Sequence, residues 1–229
     1  MPSRAVVLLS GGLDSAVALA VARRDCEEVF ALTVRYGQRH AIETECARNL
    51  ARLALAREHK ILDVDLASFG GSSLTGDGPV PKANEERSPD GEIPSTYVPA
   101  RNTILLSLAL AWAEVLGAEA IYIGAHTEDA GGYPDTRPEY LEAFARLAAL
   151  ATRAGVEGRA IQIRAPLLRM SKAEVVKLGR SLGVDFSATS SCYDPLPSGR
   201  PCGLCDACRL RAKGFGDAGE IDPRLADRP

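Results

Sequence analysis

The sequence predicts an α/β fold, a Rossmann-like open parallel sheet of about five strands with helices on both faces, plus a small C-terminal metal-binding segment. Three observations carry that expectation. Apolar runs of strand length alternate with longer helical patterns, as in a parallel sheet wrapped by crossover helices. The first run ends in a double-glycine turn, Gly11-Gly12, and a helix-like stretch follows at once. Near the C-terminus, Cys192, Cys202, Cys205 and Cys208 fall at close spacing. A chain of 229 residues can bury one sizeable core but is short for two full domains, so residues 1–229 are read as a single domain.

Taken in order, the run Ala5–Leu9 is continuously apolar and forms the first strand, and Leu13–Arg23 the helix after the glycines. Val29–Val34 is the second strand, followed by a helix over His40–Ala54 and a third strand over His59–Val64. Between Ser68 and Pro99 periodicity disappears and glycines and prolines punctuate the chain. A structureless stretch of that length inside a domain is usually functional or disordered. A mobile lid over the substrate at 68–99 is expected, a tolerated surface insertion being the alternative. The helix Arg101–Leu116 contains Ile104 to Trp112, apolar nearly all round, and should be the most buried helix. Strands at Ala120–Ala125 and Ala160–Ala165 flank a helix over Pro138–Ala154. The helix Ser171–Leu182 opens with Ser171 and Glu174 at capping-box spacing.

A net charge of −3 gives no global attraction to nucleic acid or to an acidic membrane, which favours a small-molecule substrate. No apolar run reaches membrane-spanning length, and Met1 to Arg4 lead into the first strand without a signal pattern, so a cytoplasmic location is expected. In a reducing compartment six cysteines do not read as a disulfide framework. Cys26 and Cys46 have no motif partner and read as packing residues, and His59 as structural.

The segment Ser10-Gly11-Gly12-Leu13-Asp14-Ser15 between strand and helix reads as a phosphate-binding loop. Two glycines let the backbone turn sharply and approach an anion, and the next helix presents its amides and the positive end of its dipole. Asp14 and Ser15 add a carboxylate and a hydroxyl for a magnesium ion or a phosphate oxygen. No Gly-Lys-Ser/Thr follows, so this is not a Walker A loop, and the spacing is not that of the dinucleotide fingerprint.

Further polar clusters fall after predicted strands, at the edge where open parallel sheets bind ligands. They are Arg35 to His40, the stretch from His126 to Arg137, and Tyr97 to Asn102 at a helix start. Singly, Asn102 or Asp135 would read as a helix cap. Capping explains Ser171 without function, whereas Lys172 beside it could reach a phosphate.

Cys192, Cys202, Cys205 and Cys208 come from what reads as a short loop-rich segment, 190–215, and suit a closed tetrahedral zinc site. An iron-sulfur cluster is the competitor, since Cys-x-x-Cys-x-x-Cys also occurs in ferredoxins; the missing Cys-Pro continuation favours zinc.

The Ser10–Ser15 loop resembles that of the ATP-pyrophosphatase superfamily, which splits ATP between its α- and β-phosphates. Together with Tyr36 to His40, Tyr97 to Thr103, Gly132 to Asp135, Arg137 to Glu139, Ser191 to Tyr193 and the run from Cys202 to Phe215, it is similar to the 7-cyano-7-deazaguanine synthase family. The resemblance spans nearly the whole chain. It implies a ligase that turns 7-carboxy-7-deazaguanine, ammonia and ATP into the nitrile preQ0 for queuosine biosynthesis, with Mg2+ and Zn2+ bound and the protein a homodimer. By that resemblance Leu9 to Val17, that is Leu9, Ser10, Gly11, Gly12, Leu13, Asp14, Ser15, Ala16 and Val17, would hold ATP together with Arg101 and Asn102. Asp14, Lys172 and Arg101 would serve catalysis, and Tyr97, Asp129, Tyr133, Asp135 and Arg137 would line the deazaguanine pocket. The chain departs from the family pattern at His126, Ala130, Gly131 and Thr136, where the family often has Asn, Tyr, Ser and Cys. A thiol at position 136 is therefore not essential if the function is shared.

Two rivals differ in class. A tRNA-thiolating or lysidine-forming relative would bring a basic RNA-binding region, and thiolation a reactive cysteine pair, neither of which is evident in the sequence. A non-catalytic ATP-binding regulator with a zinc knuckle would need the loop but not Arg101-Asn102 or the Tyr133 to Arg137 cluster.

Overall fold

The computed structural model describes residues 2–38, 42–76, 78–82, 93–126 and 133–225. Five parallel strands form one sheet in the order β3-β2-β1-β4-β5: β1 Arg4–Leu8, β2 Glu28–Arg35, β3 Glu58–Asp63, β4 Ala120–Tyr122 and β5 Gln162–Arg164. The strand order reverses between β1 and β4, so the ends of these two strands open the crevice in which such sheets bind ligands. β4 and β5 are shorter than their apolar runs, and residues 123–125 beyond β4 border that crevice.

Successive strand residues alternate between two cores. Val6, Leu8, Phe30 and Leu32 face α3 (Arg101–Leu116) and α4 (Pro138–Ala151). Ala5, Val7, Val29 and Ala31 face α1 (Leu13–Asp25) and α2 (Ile42–Leu53). The expected helix Pro138–Ala154 breaks at Thr152, whose hydroxyl caps a short α5 (Arg153–Val156) by accepting from Gly155 N at 3.0 Å. α6 (Lys172–Ser181) carries both halves of the capping box read from Ser171 and Glu174.

Two expectations are corrected. The most buried helix is α1, with eight of thirteen residues buried, not α3, with six of sixteen. α1 lies between the sheet and α6, where a Cβ on Gly179 would meet Val17 Cγ2 at 2.8 Å, whereas α3 turns one apolar edge to solvent and leaves Val115 82% exposed. The C-terminal segment is also less loop-like than expected. Cys205 is the N-cap of a thirteen-residue helix, α7 (Asp206–Ala218), that packs on α6 through Phe215 and Phe186.

Candidate active site

The turn after β1 brings the loop's chemistry to the mouth of the crevice. Gly11 has φ +92° and a Cβ there would lie 2.1 Å from the Glu43 carbonyl oxygen, so the position requires glycine twice over. Gly12 is the N-cap of α1 and supplies no capping side chain, which leaves the helix's first turn facing the cavity, an arrangement suited to an anion. Ser10 and Ser15 brace the turn: their hydroxyls lie 3.0 Å apart, and Ser15 Oγ also donates to Gly12 O at 3.0 Å. Across the crevice Gly124 follows β4, and a Cβ there would press on the Asp14 and Ser15 backbone at 2.9 Å.

An open cavity of about 240 Å³ runs from this loop between the ends of β1, β2 and β4. Leu9, Ser10, Gly12, Leu13, Asp14 and Ser15 line it, as do Arg101, Asn102 and Lys172. Gly11, Ala16 and Val17 stand behind this wall, where Gly11 supports the turn and Ala16 and Val17 are buried under it. Lys172 Nζ donates to both Asp14 oxygens, at 3.0 and 3.1 Å, and its side chain is 9% exposed. Its stem passes over Gly214 of α7, where a Cβ would meet Lys172 Cγ at 2.4 Å.

Arg101 opens α3 with its guanidinium 5.6 Å from the Tyr36 ring centroid and 3.4 Å from the Tyr36 hydroxyl. Ala100, in the left-handed region at φ +53°, cannot cap α3 with its side chain. Asp135 does so instead, its Oδ2 accepting from Asn102 N at 2.9 Å while Asn102 Nδ2 donates to Asp135 O at 3.0 Å. Both side chains read as substrate or nucleotide contacts are thus already engaged, each with the other residue's backbone. Of the proposed deazaguanine contacts, Tyr133 lines the cavity and packs against Tyr97 with ring centroids 5.8 Å apart and planes tilted by 36°, while Tyr97, Asp135 and Arg137 lie outside its described wall. Arg137 is exposed and donates to Pro134 O at 3.3 Å. Asp129 falls outside the described residues, as do Ala130 and Gly131. His126 is fully buried, and Thr136 lines the cavity with its hydroxyl donating to Tyr133 O at 2.9 Å.

The described parts of the 68–99 stretch are docked. Leu74, Val80 and Val98 are buried against Cys192, Cys205 and Cys208, Thr96 Oγ1 lies 2.7 Å from Tyr133 Oη, and Lys82 pairs with Asp194 at 2.5 Å.

The four C-terminal sulfurs lie within 4.8 Å of one another. Backbone amides of Asp194 and Cys202 donate to Cys192 Sγ at 3.4 and 3.2 Å, and those of Leu204 and Cys205 to Cys202 Sγ at 3.4 Å, which stabilises thiolates. Hydrogen bonds from Cys192 and Cys208 hold the Cys205 thiol far below its ordinary range. A single tetrahedral ion with thiolates at about 2.3 Å fits such a set, whereas a four-iron cluster would hold its sulfurs apart around separate metal atoms.

Sequence reasoning assigned no role to four contributors. Glu43 lines the cavity, and burial pushes its carboxyl up to about 7 against the opposing charge of Arg101. Ser190 N donates to Gly11 O at 2.9 Å and Leu13 N to Ser191 Oγ at 3.5 Å, stitching the cysteine segment to the loop. Arg211 of α7 reaches the same wall. Ser191 and Arg211 fall inside stretches that carry the family resemblance but were given no role there, and Glu43 and Ser190 fall outside them; each acts through a long-range contact.

A profile of the family described as queuosine biosynthesis protein QueC matches residues 4–219. The chain is 54% identical over 225 residues to 7-cyano-7-deazaguanine synthase of Syntrophus aciditrophicus (strain SB), covering 98% of this chain and 97% of that one. With 7-cyano-7-deazaguanine synthase of Anaeromyxobacter sp. (strain Fw109-5) the identity is 59% over 223 residues, 97% and 95% of the two chains. Among solved structures, NMN synthetase from Francisella tularensis aligns with 97% of this chain and 80% of its own, at TM-score 0.48 and 16% identity.

Proposed function

From the premise that the chain belongs to the QueC family of queuosine biosynthesis proteins, we propose that it is a carbon-nitrogen ligase making 7-cyano-7-deazaguanine (preQ0) from 7-carboxy-7-deazaguanine, ammonia and ATP. The observation that carries this reading beyond the family match is the convergence of the Ser10–Ser15 loop, the Lys172–Asp14 pair and Arg101 on one cavity. A carboxylate has a poor leaving group, so it is first adenylated, with pyrophosphate released. Ammonia converts the acyl-adenylate to the amide, and activation of the amide oxygen by a second ATP allows dehydration to the nitrile.

In this reading Leu9 to Val17 form the nucleotide site, the open first turn of α1 meeting the phosphates and Lys172 neutralising charge as pyrophosphate leaves. Asp14 would hold Mg2+ when Lys172 turns to the phosphates. Arg101 and Asn102 border the acyl end, and Tyr133, with Tyr97 packed behind it, gives the deazapurine a flat wall. Asp129 and Asp135 would read the donor edge of the base, Asp135 after exchanging its bond to Asn102, and Arg137 would screen the pocket rim. Cys192, Cys202, Cys205 and Cys208 would hold a structural Zn2+, whose chemistry is to lock four thiolates rather than to take part in the reaction. Residues 1–229 act as one domain, with 68–99 as the lid.

A homodimer is supported by the exposed apolar edges of α3 and α4. Val115 on α3 and Leu147 and Leu150 on α4 are exposed, and the first turns of the two helices meet through Thr103 and Tyr140. Among the described residues no helix is long and apolar enough to cross a membrane, and the reaction's substrates suit the cytoplasm. The test is purified protein with 7-carboxy-7-deazaguanine, ammonium and Mg-ATP, followed by mass spectrometry. Nitrile formation is expected; ATP cleavage stimulated by tRNA without nitrile or amide would overturn the reading.

A further inference from the structure

Resting on the synthase reading above, we propose that Glu43 is a catalytic residue, the base that takes a proton from nitrogen as ammonia attacks the acyl-adenylate. Glu43 stands in the first turn of α2 and lines the cavity with Tyr36, Gln38 and Arg101. Its place is fixed by the loop itself, since its carbonyl oxygen occupies the space where any side chain at Gly11 would begin, 2.1 Å from the would-be Cβ. The helix that carries the carboxyl and the loop that meets the phosphates are therefore one packed unit.

Elimination among the described ionisable groups of the cavity leads to the same residue. Lys172 is a cation already paired with Asp14, and Asp14 is engaged by it. Arg101 and Arg211 cannot lose a proton at any working pH. Burial pushes the Tyr36 hydroxyl up, further from use as a base at neutral pH. Tyr133 and Tyr193 are phenols, and Cys192 belongs to the sulfur cluster. Glu43 makes no hydrogen bond or salt bridge with another described residue, so its lone pairs are available to a substrate. Desolvation brings its carboxyl to about 7, where base and conjugate acid are both populated at working pH.

The step balances without another reactant. The ammonia lone pair forms the C–N bond at the carboxyl carbon, one N–H proton passes to the Glu43 carboxylate, and the C–O bond to the phosphate breaks with its electron pair leaving on AMP. The products are the amide, AMP and protonated Glu43, which returns its proton to solvent before the next turnover.

The test separates the two half-reactions in Glu43→Gln and Glu43→Asp. Exchange of labelled pyrophosphate into ATP, dependent on 7-carboxy-7-deazaguanine, reads adenylation; single-turnover amide formation reads the attack. In Glu43→Gln exchange should persist while amide formation falls roughly 10²-fold or more, and its rise through about pH 7 should vanish. Glu43→Asp should recover part of the rate and keep the pH limb. Hydroxylamine, a nucleophile that needs less base assistance, should be captured with a much smaller defect. A parallel loss of exchange and amide formation, or an unchanged pH profile in Glu43→Gln, would overturn the assignment. Absence of exchange in the unaltered protein would instead overturn the synthase reading on which it rests.

Discussion

Arg211 and Asp222 form a two-point ion pair inside the protein, Nε to Oδ2 at 2.8 Å and Nη2 to Oδ1 at 2.9 Å, with side chains 6% and 4% exposed. The remaining donors of Arg211 go to Thr189 Oγ1 at 2.7 Å, Phe186 O at 3.0 Å and Ser191 Oγ at 3.4 Å. One guanidinium thus ties α7 to the segment 186–191, whose Ser190 in turn donates to Gly11 O at 2.9 Å. Arg211 and Ser190 together link α7 and the cysteine segment to the turn after β1.

Removing one partner of that pair leaves the other charged and buried. Asp222→Ala should lower unfolding stability by about 3–5 kcal/mol, read as a shifted urea midpoint. Replacing both residues by apolar ones of similar volume should cost less than either single change. If the single variant shifts the midpoint by under about 1 kcal/mol, the pair is not the anchor its geometry implies.

Gly214 and Lys172 make a different prediction, because what a Cβ at 214 would strike is a side-chain stem, Lys172 Cγ at 2.4 Å, and not only backbone. Gly214→Ala should displace the lysine from Asp14 while α7, rich in other contacts to α6, stays folded. Lys172→Ala removes the ammonium outright and should slow substrate-dependent pyrophosphate exchange by roughly 10²-fold, the scale for one preorganised charge. Gly214→Ala should show a smaller loss in the same assay with near-normal helical circular dichroism.

The sheet, its helices and the glycine turn between β1 and α1 were legible in the sequence because each rests on local pattern: apolar runs such as Ala5–Leu9, glycines at a strand end, a capping box at Ser171. The burial ranking of the helices was not. Apolar content made α3 look central, but burial follows neighbours, and α1 has a layer on each side. Asp135 shows the same limit at the site. Its type and position were visible, yet its use as the cap of a helix 33 residues upstream is a tertiary fact. Glu43 carried no signal beyond being an acid in a first helical turn, where it would ordinarily be read as a dipole partner.

The raised Glu43 carboxyl also has a consequence for stability, with a definite sign. Its carboxyl, pushed up to about 7 in the folded protein, stands above its ordinary 4.5, so the folded state binds the proton more tightly than the unfolded chain. That contribution is fully present below about 4.5 and is lost as pH rises to about 7. Glu43→Gln should flatten the stability profile across this window and leave it unchanged above. Urea midpoints at half-unit pH intervals check this, and equal slopes in both proteins would show that the carboxyl is not desolvated.

Metal removal tests whether the sulfur cluster supports the proposed ATP site from a distance. Cys205 is the N-cap of α7 and Cys208 sits in its first turn, so the proposed ion, bound to both, would nucleate the helix that carries Arg211 and Gly214. Without it, four thiolates held within 4.8 Å repel one another, and α7 should fray from its N-terminal end. Arg211 then loses its bonds to Thr189 and Ser191, and Ser190 its hold on Gly11. Chelation should release one zinc per chain by elemental analysis and lower helical circular dichroism. ATP affinity, measured by titration in the absence of the acid substrate, should fall in step. Full ATP affinity in a protein stripped of metal would show that the loop is held by β1 and α1 alone; one zinc lost with both signals reduced would establish the cysteine segment as the support of the phosphate loop.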